Sequence, residues 1–299
     1  MEIIILGTSS MVPTKERNPS SIFLSYKGEG ILFDCAEGTQ RQMAIAGLKR
    51  NKARKILISH WHGDHVAGLI GLLQTVGHED KNAKVEIYGP AGSKEYLKYV
   101  TKMCYFDAKI EINVHELKPE GVETFFETED YELQCVSLDH TIPCLGFAFI
   151  EKDRRNVDIG FLKKNKIKDG PHLERLRQGK DVLFEGKKIK FKEATYLVKG
   201  KKIAYVTDTS YTKNAIALAK NADLLFSEST YESKHQDKAE DYKHMSAKDA
   251  AQLASQAGVK QLILSHFSQR YKDITELVDE ARTIFPNTKA AYDLMKIEL

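Results

Sequence analysis

The sequence predicts an α/β chain folded as a four-layer αββα sandwich with an inserted basic arm. Three observations lead there. Strand-like segments come in two runs, each flanked by segments of helical period. The candidate metal ligands fall at strand ends, where open α/β sheets place their ligands. Residues 152–186 break this rhythm, with little amphipathic period and many Lys and Arg.

The chain has 299 residues, 42% hydrophobic and 29% charged, enough for a substantial core in one domain over 1–299 with the 152–186 insertion as an arm. No apolar run approaches the roughly 18 residues a membrane span needs. The start, MEIIILGTSS, has neither a basic leader nor a long apolar stretch, so a signal peptide is not expected. Cys35, Cys104, Cys135 and Cys144 show no CxxC pairing and read as buried thiols of a reducing compartment, with the cytoplasm as the default.

Net charge is +3, but it is unevenly spread. Residues 151–202 hold 17 Lys+Arg and 8 Asp+Glu, a balance of +9, which leaves −6 on the other 247 residues. A basic segment on an acidic body suits a polyanionic partner. A solvated lysine-rich surface, common in heat-adapted proteins, fits the charge equally well.

In chain order, residues 2–6 form a first strand, and residues 7–21 a long loop carrying Lys15 and Arg17. Ser21–Tyr26 and Gly30–Asp34 pair as a hairpin, followed by a helix from Glu37 to about Ala46. Asp34 is either the cap of that helix or a residue that orients a metal-bound histidine. Lys55–Ile58 is a buried strand, and Val66, Leu69, Ile70, Leu72 and Leu73 recur at helical spacing. Between them lies SHWHGDH, residues 59–65, with His60, His62, Asp64 and His65 able to bind a metal. Imidazole and carboxylate together suit zinc and its first-row relatives. His60 and His62 alternate in extended chain and point one way; Gly63 is expected to supply the sharp turn. A histidine-rich surface turn is the bland alternative, but three histidines packed into six residues argue against it.

Next come a strand at Lys84–Tyr88, a helix after GPAG, and strands at 110–115, 123–127, 131–139 and 146–151. His140 ends the third of these; a lone histidine is more often structural. The arm is expected to be partly helical near Pro171–Gln178, with strands resuming at Ile189–Val198 and Lys202–Val206. Asp208 closes the last strand, placed like a carboxylate bridging two cations about 3.5–4 Å apart. A helix at about Thr212–Asn221 and the strand Leu224–Ser227 lead to Glu228. Ser246 reads as the N-cap of a helix with Asp249 three residues on, which puts His244 just before a helix start. The strand Gln261–Leu264 delivers His266, followed by Arg270. His78, His115, His172 and His235 read as non-catalytic.

The H-x-H-x-D-H pattern resembles the signature of the metallo-β-lactamase superfamily, mostly two-metal hydrolases. FDCAEGT resembles that superfamily's matching element, which favours the orienting role for Asp34. The order of motifs likewise favours His140 as a ligand. The ligand set that follows is His60, His62 and His140 for one metal, Asp64, His65 and His266 for the other, and Asp208 between them. Two zinc ions per subunit are expected; manganese and iron also fit these donors. Asp64 can accept the proton of the attacking water, and His244 with Glu228 can pass one to the leaving group.

GTSSMVPTKERNPSS, FDCAEGTQRQ, SHWHGDHVAGL, DHTIPCLGF, VTDTSY, the HMS helix start and LSHFSQRY together resemble the short-form ribonuclease Z family over nearly the whole chain. That resemblance implies removal of the 3′ trailer of precursor tRNA by cleavage after the discriminator base, leaving a 3′-hydroxyl. It also implies a homodimer whose arm clamps the tRNA cut by the partner subunit, with Lys15 and Arg270 near the scissile end. The arm's KIKDGPHLERLRQGKDV is less apolar before its glycine, and poorer in glycine after it, than the family's commonest form. Two rivals remain: another two-metal hydrolase of this fold acting on a small substrate, and a non-catalytic RNA-binding protein with a structural metal.

Overall fold

The computed structural model describes residues 1–106 and 110–299. Two seven-stranded sheets, each with helices beside it, form the architecture. The first sheet runs in the order Lys296–Glu298, Glu2–Gly7, Ser21–Tyr26, Glu29–Phe33, Ala53–Leu57, Lys84–Pro90, Glu111–Leu117. Pairing is antiparallel up to Glu29–Phe33 and parallel beyond it. The second runs Thr288–Ala290, Leu262–Ser265, Leu224–Glu228, Lys202–Val206, Cys144–Glu151, Tyr131–Leu138, Glu123–Glu127, and its first four strands are parallel.

The strand sequences explain the layering. Ile3, Ile4, Ile5 and Leu6 are all buried, the continuous apolar run of a strand covered on both faces. Phe33 of one sheet packs against Tyr205 of the other, ring centres 5.5 Å apart. On the outer side of the first sheet, Leu69, Leu72, Leu73 and Val76 of the helix Leu69–Glu79 pack with Leu32, Ile56 and Ile87. On the second, Ala250, Ala251, Leu253 and Ala254 of Ala247–Ala257 pack with Leu225, Leu262 and Leu264. That helix starts with a full capping box, Ser246 and Asp249 bonding reciprocally.

The chain divides into two compact units. The larger comprises 1–126, 133–149 and 202–299; the smaller comprises 127–132 and 150–201. The smaller unit therefore extends beyond 152–186. It has its own small core of Leu162, Ile167, Leu173, Leu176, Val182, Ile189 and Ala194. Arg154–Val157 pairs antiparallel with Thr195–Val198, and Val182–Phe184 with Lys187–Ile189. Pro171–Arg177 is helical as expected. The continuous strand expected over Ile189–Val198 is instead interrupted by a short helix, Phe191–Ala194, whose Ala194 is buried in the core. Of the four cysteines, Cys104 is exposed rather than buried. Among the described residues, no helix is long and apolar enough to cross a membrane.

Candidate metal centre

Each candidate ligand leaves the end of a strand. His60, His62, Asp64 and His65 follow Ala53–Leu57; His140 follows Tyr131–Leu138; Asp208 follows Lys202–Val206; His266 follows Leu262–Ser265. Three of these strands alternate in the second sheet and Ala53–Leu57 belongs to the first, and their ends bring the ligands together in the larger unit.

The turn in SHWHGDH is not built as its glycine suggests. Gly63 has no left-handed φ, and a Cβ there would meet nothing within 4 Å. The chain turns because Gly63–Val66 is already a helical turn. The glycine that matters is Gly68: its added Cβ would lie 2.0 Å from the Ala36 carbonyl oxygen, and its N–H donates to Cys35 O at 2.9 Å.

His60, His62, His140 and Asp208 form one group of donor atoms lying within 4.8 Å of one another, and Asp64, His65 and His266 form another. Asp208 faces both. Its Oδ2 lies 3.7 Å from His60 Nε2 and 3.8 Å from His140 Nε2; its Oδ1 lies 3.4 Å from His65 Nε2 and 3.2 Å from His266 Nε2.

Hydrogen-bond bookkeeping fixes what the rings present. Ser59 Oγ gives its one hydrogen to Asp34 Oδ2 at 2.8 Å, so it accepts from His60 Nδ1 at 3.0 Å. His140 Nδ1 donates to Lys243 O at 3.1 Å, and His65 Nδ1 to Asp34 Oδ2 at 2.8 Å. Thr230 Oγ1 gives its hydrogen to Glu228 Oε2 at 2.6 Å and accepts from His266 Nδ1 at 2.9 Å. Four imidazoles thus have their outer nitrogen protonated and turn a bare Nε2 inward. His60 Nε2 and His140 Nε2 lie 3.0 and 3.2 Å from His62 Nδ1, and His65 Nε2 lies 3.3 Å from His266 Nε2. Lone pairs this close need a cation or a proton among them, so the donor set fits divalent metal. Without cations, burial depresses His65, but Asp208 and Asp34 outweigh it and push it up to about 10. Burial also works against the charge of Asp208, yet the converging imidazoles hold its carboxyl well below the usual range.

His244 sits differently. The nitrogen nearest Asp208, Nδ1 at 3.9 Å, is the one that bonds Glu228 Oε2 at 3.0 Å and Oε1 at 3.1 Å. It cannot hold both a metal and Glu228. Glu228 is fixed in turn by Thr209 N–H at 2.7 Å. Burial lowers His244, but Glu228 and Asp208 prevail and push it up to about 9.

His62, Asp64, His140, Asp208 and His244 open onto a cavity of about 1060 Å³ also lined by Arg270, Tyr231 and Tyr242. Arg270 lies over the Tyr231 ring, 5.2 Å from its centre. Lys15 is exposed and is not among the lining residues. Arg17 is tied inward to the Tyr271 carbonyl and the Phe267 ring. Asp34 caps no helix: the helix Thr39–Ile45 has Gly38 at its N-cap, and Asp34 bonds Ser59, His65 and Tyr205.

Sequence reasoning missed the backbone of the site. Met11, Asp34, Lys243 and His266 are non-glycine residues with φ of 64°, 54°, 54° and 57°. All four touch the centre, Met11 through an N–H to Asp64 Oδ2 at 2.7 Å. Thr230 was missed as well; nothing local marks it.

Against known proteins, a family model described as anti-Pycsar protein Apyc1 matches residues 1–287, so the chain falls within that family. A ribonuclease Z of Methanothermobacter thermautotrophicus is 41% identical over 304 residues, covering 100% of this chain and 97% of the relative. A ribonuclease Z of Microcystis aeruginosa is 41% identical over 309 residues, covering 100% and 96%. The chain belongs to the ribonuclease Z family. The crystal structure of human tRNase Z, short form, superposes with a TM-score of 0.73 at 27% identity, covering 100% of this chain and 99% of that one. The metallo-β-lactamase fold protein YhfI of Bacillus subtilis, at TM-score 0.71 and 19% identity over 100% and 99%, shares the fold.

Proposed function

We propose that this chain is a metal-dependent endoribonuclease that removes the 3′ trailer from precursor tRNA. It hydrolyses the phosphodiester after the discriminator base and leaves a 3′-hydroxyl on the tRNA. The observation that carries this is the pair of donor trios sharing Asp208 at the floor of an open cavity, in a chain of the ribonuclease Z family. The donor types suit two zinc ions, with manganese and iron as alternatives.

When bound, two such cations lower the pKa of water and offset the charge that develops on the phosphate. The chain's own groups do the rest. Asp64, its Oδ2 steadied by the Met11 N–H, accepts the proton of the attacking water. His244, with Nδ1 held by Glu228, hands a proton from Nε2 to the departing 3′ oxygen. Arg270 on the cavity wall faces the scissile phosphate, and Lys15 on its exposed loop meets a phosphate further out. The basic smaller unit grips the folded body of the tRNA by its phosphates. The family resemblance supports a homodimer acting in the cytoplasm, one subunit's arm serving the partner's site.

A second reading, another two-metal hydrolase of this fold acting on a small substrate, is kept by the matching family model, whose description names no tRNA. The test is a 3′-extended precursor tRNA incubated with and without chelator, with the cut mapped. A single cut after the discriminator base, lost with chelator and restored by zinc or manganese, is expected. An intact precursor beside hydrolysis of bis(p-nitrophenyl) phosphate overturns the tRNA reading in favour of the second.

A further inference from the structure

Tyr205 is a buried tyrosine to which the mechanism gives no part, 5% exposed in the strand Lys202–Val206. Its hydroxyl donates to Asp34 Oδ2 at 2.9 Å. The same oxygen accepts from Ser59 Oγ and from His65 Nδ1, each at 2.8 Å, and Asp34 Oδ1 accepts from Ser59 N–H at 2.7 Å. Asp34 and His65 are wholly buried. A carboxylate removed from water needs every donor it can gather, and each one narrows where it can sit.

Three residues after Tyr205 the same chain supplies Asp208. Asp208 Oδ1 faces the other nitrogen of the His65 ring, 3.4 Å from Nε2. One segment of the second sheet therefore faces both nitrogens of the His65 imidazole. Tyr205 reaches Nδ1 through Asp34, and Asp208 faces Nε2. His65 and Asp34 belong to the first sheet's side of the molecule, so the hydrogen-bonded link from Tyr205 through Asp34 to His65 joins the two sheets.

We propose that Tyr205 is a positioning residue, whose hydroxyl sets the spacing between the ligand His65 and the bridging Asp208 by tying Asp34 across the two sheets. The proposal rests on the divalent-metal reading of the two trios. It holds whether the substrate is tRNA or a small phosphodiester. Tyr205→Phe removes one oxygen and keeps the ring that packs on Phe33.

The test reads metal binding directly. Metal-stripped protein is titrated with Co2+, following the visible d–d bands, and with Zn2+ in competition with a chromophoric chelator. The unsubstituted chain is expected to take two cations. Y205F is expected to bind one of them about tenfold more weakly, the lower end of the range for partners that orient metal ligands, with shifted Co2+ bands. In an Asp34→Ala background, which leaves the Tyr205 hydroxyl no partner at position 34, Y205F is expected to add no further loss, since its effect runs through Asp34. Unchanged Co2+ affinity and bands in Y205F, even with a lowered melting temperature, reduce Tyr205 to packing and overturn the proposal. A full additional loss in the D34A background overturns the route through Asp34. If the unsubstituted chain binds no divalent cation, the metal reading itself fails and the proposal with it.

Discussion

In the larger unit, Asp34, His60 and His65 are fully buried and Asp208 is 3% exposed, while in the smaller unit each lysine from Lys163 to Lys192 is exposed. The two units share a chain but handle charge in opposite ways. At the larger unit's centre, burial makes these charges costly, so they are matched by partners of fixed direction, and that matching is what makes a site. In the smaller one, a cluster of apolar residues folds inward around Leu173 and Leu176 while these lysines stay in water. Its ion pairs, such as Lys188 with Asp181 and Lys199 with Asp153, are exposed and contribute little to stability. A solvated cation makes no directional demand. It suits a partner recognised by its field, whereas buried ligands suit chemistry at one point.

The largest expected effect lies where the two donor trios meet. D208A removes the shared carboxylate, and hydrolysis of precursor tRNA and of bis(p-nitrophenyl) phosphate should both fall by about a thousandfold or more. Parallel steady-state assays check it. Loss on one substrate alone would mean the two are cut at different centres.

Next comes removal of the smaller unit's outer part. Asp153 accepts from the Gly200 N–H at 2.9 Å, so residues 154–198 can be excised and replaced by a short linker. This variant should lose about a hundredfold or more on precursor tRNA and change little on the small phosphodiester. Cleavage by the full chain should fall steeply with salt only for tRNA, and the excised variant should show a flatter slope. Equal losses on both substrates would break the division of labour.

His244 and Glu228 test the proton route. H244A should lose about a hundredfold in kcat, the lower range for a positioned acid. The pH dependence has a definite sign. His244 is raised in the fold, so its acid form persists above its usual range and activity is lost as pH rises through the raised value. E228Q removes the carboxylate that raises it, so the alkaline limb of kcat should move to lower pH than in the unsubstituted chain. A limb that stays in place, or moves up, would dissociate His244 from proton transfer.

How much of this was legible in the sequence follows the same physical divide. The fold and the clustering of His60, His62, Asp64 and His65 are local patterns, set by strand period and by ligands a few residues apart. His140, Asp208 and His266 each end a strand, His140 needed the order of motifs in the resembled superfamily as well, and the structure brings all three to the same place. Asp34 was ambiguous because its partners lie 25, 31 and 171 residues away. The left-handed backbone at His266 and Asp34 was not legible, since most residues of these types do not adopt it and nothing in the local pattern marks these two. Gly63 misled because a glycine in a turn is usually there for its φ, and here it is not. In the smaller unit, the helix Phe191–Ala194 was hidden by its brevity and by a neighbouring strand-like run.

Arg270 and Lys15 give the smallest expected effects and separate the cavity from its surroundings. Arg270 lines the cavity with its guanidinium over Tyr231, whereas Lys15 is exposed and lies outside the lining. A charge on the wall acts on any phosphodiester that reaches the floor, so R270A should cost severalfold to about tenfold on both substrates, as expected for a lost charge-assisted contact. A cation further out meets only a substrate that extends past the cavity. K15A should therefore cost a few-fold on precursor tRNA, in KM rather than kcat, and nothing on bis(p-nitrophenyl) phosphate. Paired kcat and KM measurements on both substrates decide it. An effect of K15A on the small substrate would place Lys15 at the reacting phosphate, and an R270A effect confined to tRNA would move Arg270 out to join it.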